Sequence, residues 1–418
     1  MKTRTWLSTL TLVSAGALAL TACGGGGGFD DDNGGGGATE GSSGSGGGSL
    51  TLLIGSSGEA ETKAVKDAAA TWSKSSGVDV TVQVAADLNQ QLSQGFAASS
   101  PPDLFYLSTD QVAAYANNGS LAAYFDKLDN TADFYPNLVS AFTVGGTTYC
   151  APKDFSTLAL VINTDMWKDA GLTDSDIPTT WDDLSNVAAK LTTSDHAGLS
   201  FTPEWARIGA FMAEAGGSLV NDDGTKATVD SPENLKALKY VQSLLESGNA
   251  KFAADLGAGW GGEALGIGKA AMVIEGNWIV GAMASDYPKI NYKVVELPAG
   301  PAGKGTLLFT NCWGVATGGD VADATKFVEF LTSADQQMAF AKAFGVMPSI
   351  QSVRDQWAKE FPDQAAFIAG ADYAESGPVN EGASVVISDF NSQLQGLPGA
   401  DPAQILKSVQ QNLAATLD

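Results

Sequence analysis

The first third of the chain alternates between strand-like and helix-like spacing of its apolar residues. Residues 50–57 are a β-rich run that ends in turn residues, and residues 78–85 are a second β-rich run, so we predict a strand in each. Between them, residues 58–77 carry apolar side chains at helical spacing and stop at a glycine, which predicts a helix with Trp72 in the core. A helix from Leu88 and a strand over 101–108 follow. This order predicts an α/β domain with a mostly parallel sheet, which binds ligands beyond the carboxyl ends of its strands.

The later pattern predicts a crossing segment and a second, helix-rich body. Residues 147–163 read as extended chain that passes between two lobes. Helical spacing returns over 178–192, 232–248 and, as two helices, 324–345, and a last helix runs from 402 to 417. The length of the chain after residue 50 suits two domains.

One apolar stretch is interrupted in an unusual way. In MVIEGNWIV, Met272 to Val280, the apolar run stops for Glu-Gly-Asn and then presents Trp278. A tryptophan at such a place is either a core residue or a flat platform for a ligand, and the stretch alone leaves both interpretations open.

The N-terminus predicts export and a lipid anchor. A short basic start precedes an apolar run too short to span a membrane, so residues 1–22 read as a signal peptide. Leu20-Thr21-Ala22-Cys23 matches the bacterial lipobox, in which the cysteine carries lipid. Residues 23–49 are almost all small and polar, and they predict a tether that holds a globular body at the outer face of the cell membrane. The alternative is an ordinary signal with an incidental Cys23.

Charge and rare residues narrow the classes of function. The formal net charge of −24 disfavours nucleic acid and anionic ligands, whereas neutral ligands fit and cations remain open. The single histidine, His196, makes a transition-metal site and Ser-His-Asp catalysis implausible, and NDDG at 221–224 lacks the spacing of a calcium loop, so we expect no metal and no cofactor. Outside the cytoplasm, Cys150 and Cys312 suggest one disulfide, with two buried thiols as the alternative.

Five segments in order resemble the extracellular solute-binding proteins of bacterial ABC importers, in their maltose-binding-protein-like carbohydrate branch. They lie at 101–124, 151–172 (followed by 178–184), 266–283, 297–316 and 327–349. The resemblance implies two α/β lobes joined by a multi-segment hinge, with the ligand in the cleft between them. The expected lobes are 50–153 plus 314–355, and 154–313 plus 356–418. The implied protein is a monomeric, non-enzymatic receptor that delivers carbohydrate to a membrane permease.

The resemblance also implies which side chains face the cleft. Trp278 matches the position whose ring stacks on a sugar, and Cys150 and Cys312 fall in neighbouring hinge crossings. The full set of expected ligand-binding residues is Glu59, Asp110, Asp154, Phe155, Glu204, Trp205, Trp260, Trp278 and Trp313.

Two other functions stay open at this point. A secreted carbohydrate-active enzyme would also place acids and tryptophans in a cleft, although no pair of carboxylates stands out by its spacing. A receptor of the same fold for a polyamine or another cation would use the acidity and the tryptophans instead. The first strand lacks the aromatic residue that many relatives place after it, which leaves the ligand's identity undetermined.

Overall fold

A computed structural model of the protein describes residues 48–417. The predicted signal peptide, the lipidation at Cys23 and nearly all of the predicted tether lie outside the described residues. The chain enters its first strand at Ser49, one residue before the predicted start.

The described chain contains twelve strands and sixteen α-helices, and the elements that the sequence predicts lie close to their expected bounds. The strands are β1 Ser49–Ile54, β2 Asp79–Val84, β3 Leu104–Ser108, β4 Thr143–Val144, β5 Thr147–Thr148, β6 Ala151–Asn163, β7 Ala197–Phe201, β8 Ala250–Phe252, β9 Ala270–Gly276, β10 Tyr292–Val295, β11 Thr306–Val315 and β12 Ala374–Glu375. The helices are α1 Glu59–Ser76, α2 Leu88–Ala97, α3 Thr109–Asn117, α4 Pro136–Ser140, α5 Thr164–Asp169, α6 Trp181–Leu191, α7 Trp205–Glu214, α8 Pro232–Glu246, α9 Gly261–Gly266, α10 Trp278–Ser285, α11 Val321–Leu331, α12 Ala334–Phe344, α13 Arg354–Glu360, α14 Ala365–Ala369, α15 Ala383–Leu394 and α16 Pro402–Ala414.

Local chemistry explains several of these helix ends. Thr180 and Asp183 form a capping box at the start of α6, where each side chain binds the other residue's backbone N–H. Ser231 caps α8 directly before Pro232, which tolerates the first helical position because it needs no N–H there. Helix α1 ends at Gly77, whose φ of 79° is a left-handed conformation that glycine adopts without strain.

Two parallel groups of strands are joined by two antiparallel crossing strands. The order is β2-β1-β3-β11-β6-β9-β7-β8. Strands β1, β2 and β3 are mutually parallel, as are β7, β8 and β9, whereas β6 and β11 run antiparallel to each other and to their neighbours β9 and β3 in this order. The sheet is therefore mixed rather than mostly parallel, because the chain crosses between the lobes through its middle.

The crossing strands define the hinge of a two-lobed α/β fold. Strand β11 pairs with β3 over Asn311–Val315 and with β6 over Leu308–Trp313, with a register shift between Asn311 and Cys312 in the β6 pairing. A third crossing segment lies beside them, because Phe155 of β6 forms an antiparallel bridge with Met347. The register shift between Asn311 and Cys312 is a β-bulge, and a bulge bends its strand. A bend suits this position, because the chain leaves one lobe for the other here.

The buried apolar side chains form two clusters, which serve as two hydrophobic cores. One contains Leu52, Phe105 and Phe327, and the other contains Leu160, Phe211 and Leu238. The first cluster also includes Val273 of β9, so the core continues across the crossing strands. Trp72 is buried in the first cluster, as the helical spacing predicts. Within residues 48–417, no helix has the length and apolar character needed to cross a membrane.

Candidate ligand-binding site

A cleft of about 1350 Å³ opens where several strands end. Its walls come from the β1–α1 and β3–α3 junctions, the first half of β6, the β9–α10 junction, the middle of β11, the end of α12 and one face of α15. Strands β1, β3 and β9 each reach this cleft at their carboxyl ends. This is the edge at which α/β sheets collect ligand-binding side chains.

Six of the expected site residues line this cleft. Glu59 is the first residue of α1, and Asp110 lies in the first turn of α3, where Ser108 Oγ donates a hydrogen bond of 2.5 Å to Asp110 Oδ1. Asp154 and Phe155 lie in the crossing strand β6. The other two are the aromatic residues Trp205 and Trp278.

Three of the nine expected residues, Glu204, Trp260 and Trp313, do not line this cleft. Trp313 is only 1% exposed and packs edge-on against Tyr106, with ring centroids 5.1 Å apart, so it is a core residue. Trp260 folds back over the backbone of Gly262, because the glycine-rich loop leaves room for the ring. Glu204 precedes α7 and accepts a hydrogen bond from Thr202 Oγ1 at 3.1 Å.

Among residues 48–417, Trp278 is the large aromatic side chain most available to a ligand. The Trp278 side chain is 38% exposed. Phe309 packs edge to face against its ring, with ring centroids 5.3 Å apart. Its Nε1–H donates to Glu275 Oε2 at 2.9 Å, and the guanidinium carbon of Arg207 lies 5.2 Å from the ring centroid. The core interpretation of Trp278 is therefore wrong for this structure, and its role in binding stays a prediction.

The Glu-Gly-Asn interruption has a structural reason. The indole of Trp278 lies over Gly276, where a Cβ would come within 2.3 Å of the ring. Asn277 then fixes the turn: its backbone N–H donates to Ser156 Oγ at 3.0 Å, and its side-chain amide donates to the Gly345 carbonyl at 2.7 Å. The three residues thus carry the chain out of β9 and turn Trp278 toward the cleft.

A buried charged cluster, which sequence reasoning missed, lies at the floor of the cleft. Lys153 Nζ contacts Asp154 and donates to Glu61 Oε1 at 3.3 Å. Tyr106 Oη donates to the same Glu61 oxygen at 3.0 Å, and its ring lies 4.5 Å from the Lys153 ammonium. The ammonium is thus surrounded by protein partners. The signal in the sequence was the unusual Lys-Asp pair inside an otherwise apolar strand.

The single ammonium of Lys153 pairs with two carboxylates, and the pKa of one of them is lowered while that of the other is raised. Burial raises the pKa of Glu61, but the Lys153 charge and hydrogen bonds from Ser57 and Tyr106 outweigh it, so the pKa lies below its ordinary value. Burial raises the pKa of Asp154 more than Lys153 lowers it. Burial also lowers the pKa of Lys153, yet its two carboxylates raise it further, which keeps the ammonium charged.

Helix α15 supplies a wall of the cleft that sequence reasoning did not identify. Four of its residues face the cleft at helical spacing, namely Ser384, Ile387, Ser388 and Asn391. Asn391 Oδ1 also accepts the backbone N–H of Trp205 at 2.7 Å, which ties α15 to the start of α7. The recurrence of polar side chains at every third or fourth position was the available signal.

Cys150 and Cys312 form a disulfide behind the cleft. Their Cα atoms are 5.8 Å apart, within the range that a disulfide spans, and both residues are fully buried. Cys150 directly precedes β6, and Cys312 lies at the register shift of β11. The bond therefore joins the two crossing strands at the hinge.

Comparisons with known proteins agree with this architecture. Residues 67–369 match the family described as bacterial extracellular solute-binding protein. A diacetylchitobiose-binding protein of Streptomyces coelicolor is 26% identical over 277 residues, which cover 64% of this chain and 65%, just under two thirds, of that protein. A maltooligosaccharide ABC transporter solute-binding lipoprotein of Streptococcus pneumoniae is 26% identical over 313 residues, covering 69% of this chain and 70% of that protein.

A solved structure shows the same fold. The cyclic α-maltosyl-1,6-maltose binding protein from Arthrobacter globiformis superposes with a TM-score of 0.80 at 22% identity, over 89% of this chain and 99% of that chain. The family match covers most of this chain. The chain belongs to the bacterial extracellular solute-binding proteins.

Proposed function

We propose that this protein captures a neutral saccharide in its interlobe cleft and delivers it to the transmembrane subunits of an ABC importer. The observation that carries the proposal is the exposed indole of Trp278 in one wall of a cleft that also contains carboxylates. Sugar rings have apolar C–H faces and hydroxyl edges, so they need a flat aromatic surface together with hydrogen-bond acceptors. The names of the relatives from Streptomyces and Streptococcus support this class of ligand.

The charges around the cleft favour a neutral ligand over an anion. Among the described residues that line it, four carry carboxylates and one, Lys153, carries an ammonium. That ammonium is already held by Glu61 and Asp154, so it is a poor site for a ligand anion. The exposed carboxylates of Glu59 and Asp110 are free to accept hydrogen bonds from hydroxyl groups.

A polycation is also a weaker fit than a neutral ring. One side of the Trp278 indole faces the guanidinium of Arg207, which leaves the ring unable to enclose a ligand cation between aromatic faces. The protein acts as a monomeric receptor and does not transform its ligand. The lobes, with the boundaries expected from the sequence, close over the ligand by movement at the crossing strands.

Calorimetric titration tests the proposed ligand class. The exported protein is titrated with N,N′-diacetylchitobiose, with maltotetraose and with spermidine, and each sugar is recovered and analysed by chromatography. We expect one saccharide to bind with one site per chain at about micromolar Kd, close to 8 kcal/mol, and to be recovered intact. Hydrolysed sugar would favour an enzyme, and binding of spermidine alone would favour a cation receptor.

The membrane anchor is a separate part of the proposal. Cys23 lies outside the described residues, and the name of the Streptococcus pneumoniae relative as a lipoprotein supports an anchor here. Replacement of Cys23 by Ser should release the protein from the membrane fraction of cells, because one acyl-bearing cysteine is the expected attachment. If the variant stays with the membrane in the same amount, the lipobox interpretation is wrong.

A further inference from the structure

Glu275 is a buried acid that joins two partners behind the cleft. It lies in β9, three residues before Trp278, and its side chain is completely buried. Its Oε2 accepts hydrogen bonds from Arg207 Nη2 at 2.7 Å and from Trp278 Nε1 at 2.9 Å. Neither Glu275 nor Arg207 lines the cleft. The pair therefore contacts the aromatic side chain without reaching the space that a ligand would occupy.

Arg207 extends the contact to the face of the indole. Arg207 lies in α7 and is almost as buried as Glu275. Its guanidinium carbon lies 5.2 Å from the centroid of the Trp278 ring. Phe309 meets the ring edge to face. The indole thus has a hydrogen bond at its nitrogen, a cation against one face and an aromatic neighbour, and these three contacts fix its position and its rotation.

We infer that Glu275 and Arg207 are positioning residues, which hold the Trp278 indole in its ligand-binding orientation before a ligand arrives. This inference rests on the proposed function for the role of Trp278 in saccharide binding. A side chain fixed in advance loses less conformational entropy when a ligand stacks on it, so affinity rises without any added ligand contact. A buried ion pair is costly to desolvate and adds little net stability. The Glu275–Arg207 pair therefore fits a role in orienting the Trp278 indole better than a role in stabilising the fold.

The same lobe contains a matched control for this arrangement. Glu214 is buried at the end of α7 and accepts the Trp181 Nε1–H at 2.5 Å. Trp181 stacks on Tyr240 in the core, with ring centroids 4.2 Å apart, and none of the three lines the cleft. Glu275→Gln and Glu214→Gln therefore make the same change next to a tryptophan, once beside the cleft and once away from it.

The orientation itself is tested without ligand, by ¹⁵N NMR of the indole N–H groups. Trp278→Phe assigns the resonance of Trp278, and Trp181→Phe assigns that of Trp181. In Glu275→Gln we expect the Trp278 resonance to shift and its hydrogen exchange to accelerate, with Trp181 unchanged, and in Glu214→Gln the reverse. An unchanged Trp278 resonance in Glu275→Gln overturns the inference.

The effect on binding is tested by a double-mutant cycle, with N,N′-diacetylchitobiose and maltotetraose as ligands. We expect Glu275→Gln to weaken affinity about tenfold in the wild-type background and to leave it unchanged in a Trp278→Ala background. A tenfold difference between the two backgrounds is a coupling of about 1.4 kcal/mol, which is within the range found for residues in contact. Glu214→Gln should leave affinity unchanged. Equal losses in both backgrounds would mean that Glu275 acts on binding by another route, and would overturn the inference.

A second variant guards against loss of the fold. Replacing both charges, with Arg207→Met and Glu275→Leu, leaves no unpaired buried ion and should fold. It should show the same altered Trp278 resonance and the same loss of affinity. Wild-type affinity in this double variant, with a native resonance, overturns the inference. Failure of the wild-type protein to bind either sugar contradicts the proposed function alone, since the NMR experiment then still decides the positioning.

Discussion

Truncation of Trp278 to alanine separates a ligand platform from a core residue. The substitution removes an indole that is 38% exposed, and it leaves the Glu275–Arg207 ion pair in place. The fold loses mainly one hydrogen bond and a partly exposed contact, so we expect a stability loss of about 1 kcal/mol. A fully buried tryptophan costs about 3–5 kcal/mol on the same truncation.

The cost to binding should be larger than the cost to folding. A stacked aromatic at the centre of a binding site behaves as a hot spot, whose removal costs about 2 kcal/mol or more. Affinity for the bound saccharide should therefore fall by at least about tenfold, since about 1.4 kcal/mol corresponds to one decade. Calorimetric titration gives the affinity, and urea unfolding of the same sample gives the stability.

Trp357→Ala is the matched control. Trp357 is 0% exposed and does not itself line the cleft, and like Trp278 it donates its Nε1–H to an acceptor in the protein, the Val346 carbonyl at 3.0 Å. It should lose about 3–5 kcal/mol of stability, and the folded fraction should bind normally. Unchanged affinity of Trp278→Ala, together with a destabilisation as large as that of Trp357→Ala, would refute the platform argument.

Three further predictions concern stability and are measured by urea or thermal unfolding. Lys153→Met leaves two buried carboxylates without their cation and should cost about 3–5 kcal/mol, whereas a loss below about 1 kcal/mol would show that the cluster is more hydrated than the structure indicates. Replacing Cys150 and Cys312 by alanine opens a loop of sequence separation 162 and should cost about 2–4 kcal/mol, and no change on reduction of the wild type would mean that the bond does not form. Burial raises the pKa of Glu214 well above its ordinary value of 4.5, so the folded protein holds a proton there that the unfolded chain releases as pH rises. Wild-type stability should therefore fall relative to Glu214→Gln from about pH 4.5 upward, until the raised pKa is passed, and a constant difference across that range would contradict the assignment.

The sequence by itself determined the α/β fold class and the elements with a clear period, such as β1, α1, β2 and α8. Strands and helices depend on periods that repeat within about twenty residues, and local signals such as the Thr180–Asp183 capping box fix where helices begin. The interruption before Trp278 was also readable, because a glycine and an asparagine at the end of a strand mark a turn. The side to which the indole points could not be read from that stretch.

Only the tertiary structure decided which side chains share the cleft. Glu61 and Lys153 meet although they are 92 residues apart, and Trp205 meets Asn391 across 186 residues. No local period links such pairs, since the crossing strands bring them together only after both lobes have formed. For the same reason Trp313, a plausible site residue by sequence, lies in the core. Residue type shows which chemistry a chain can supply, while the path of β6 and β11 between the lobes decides where it is supplied.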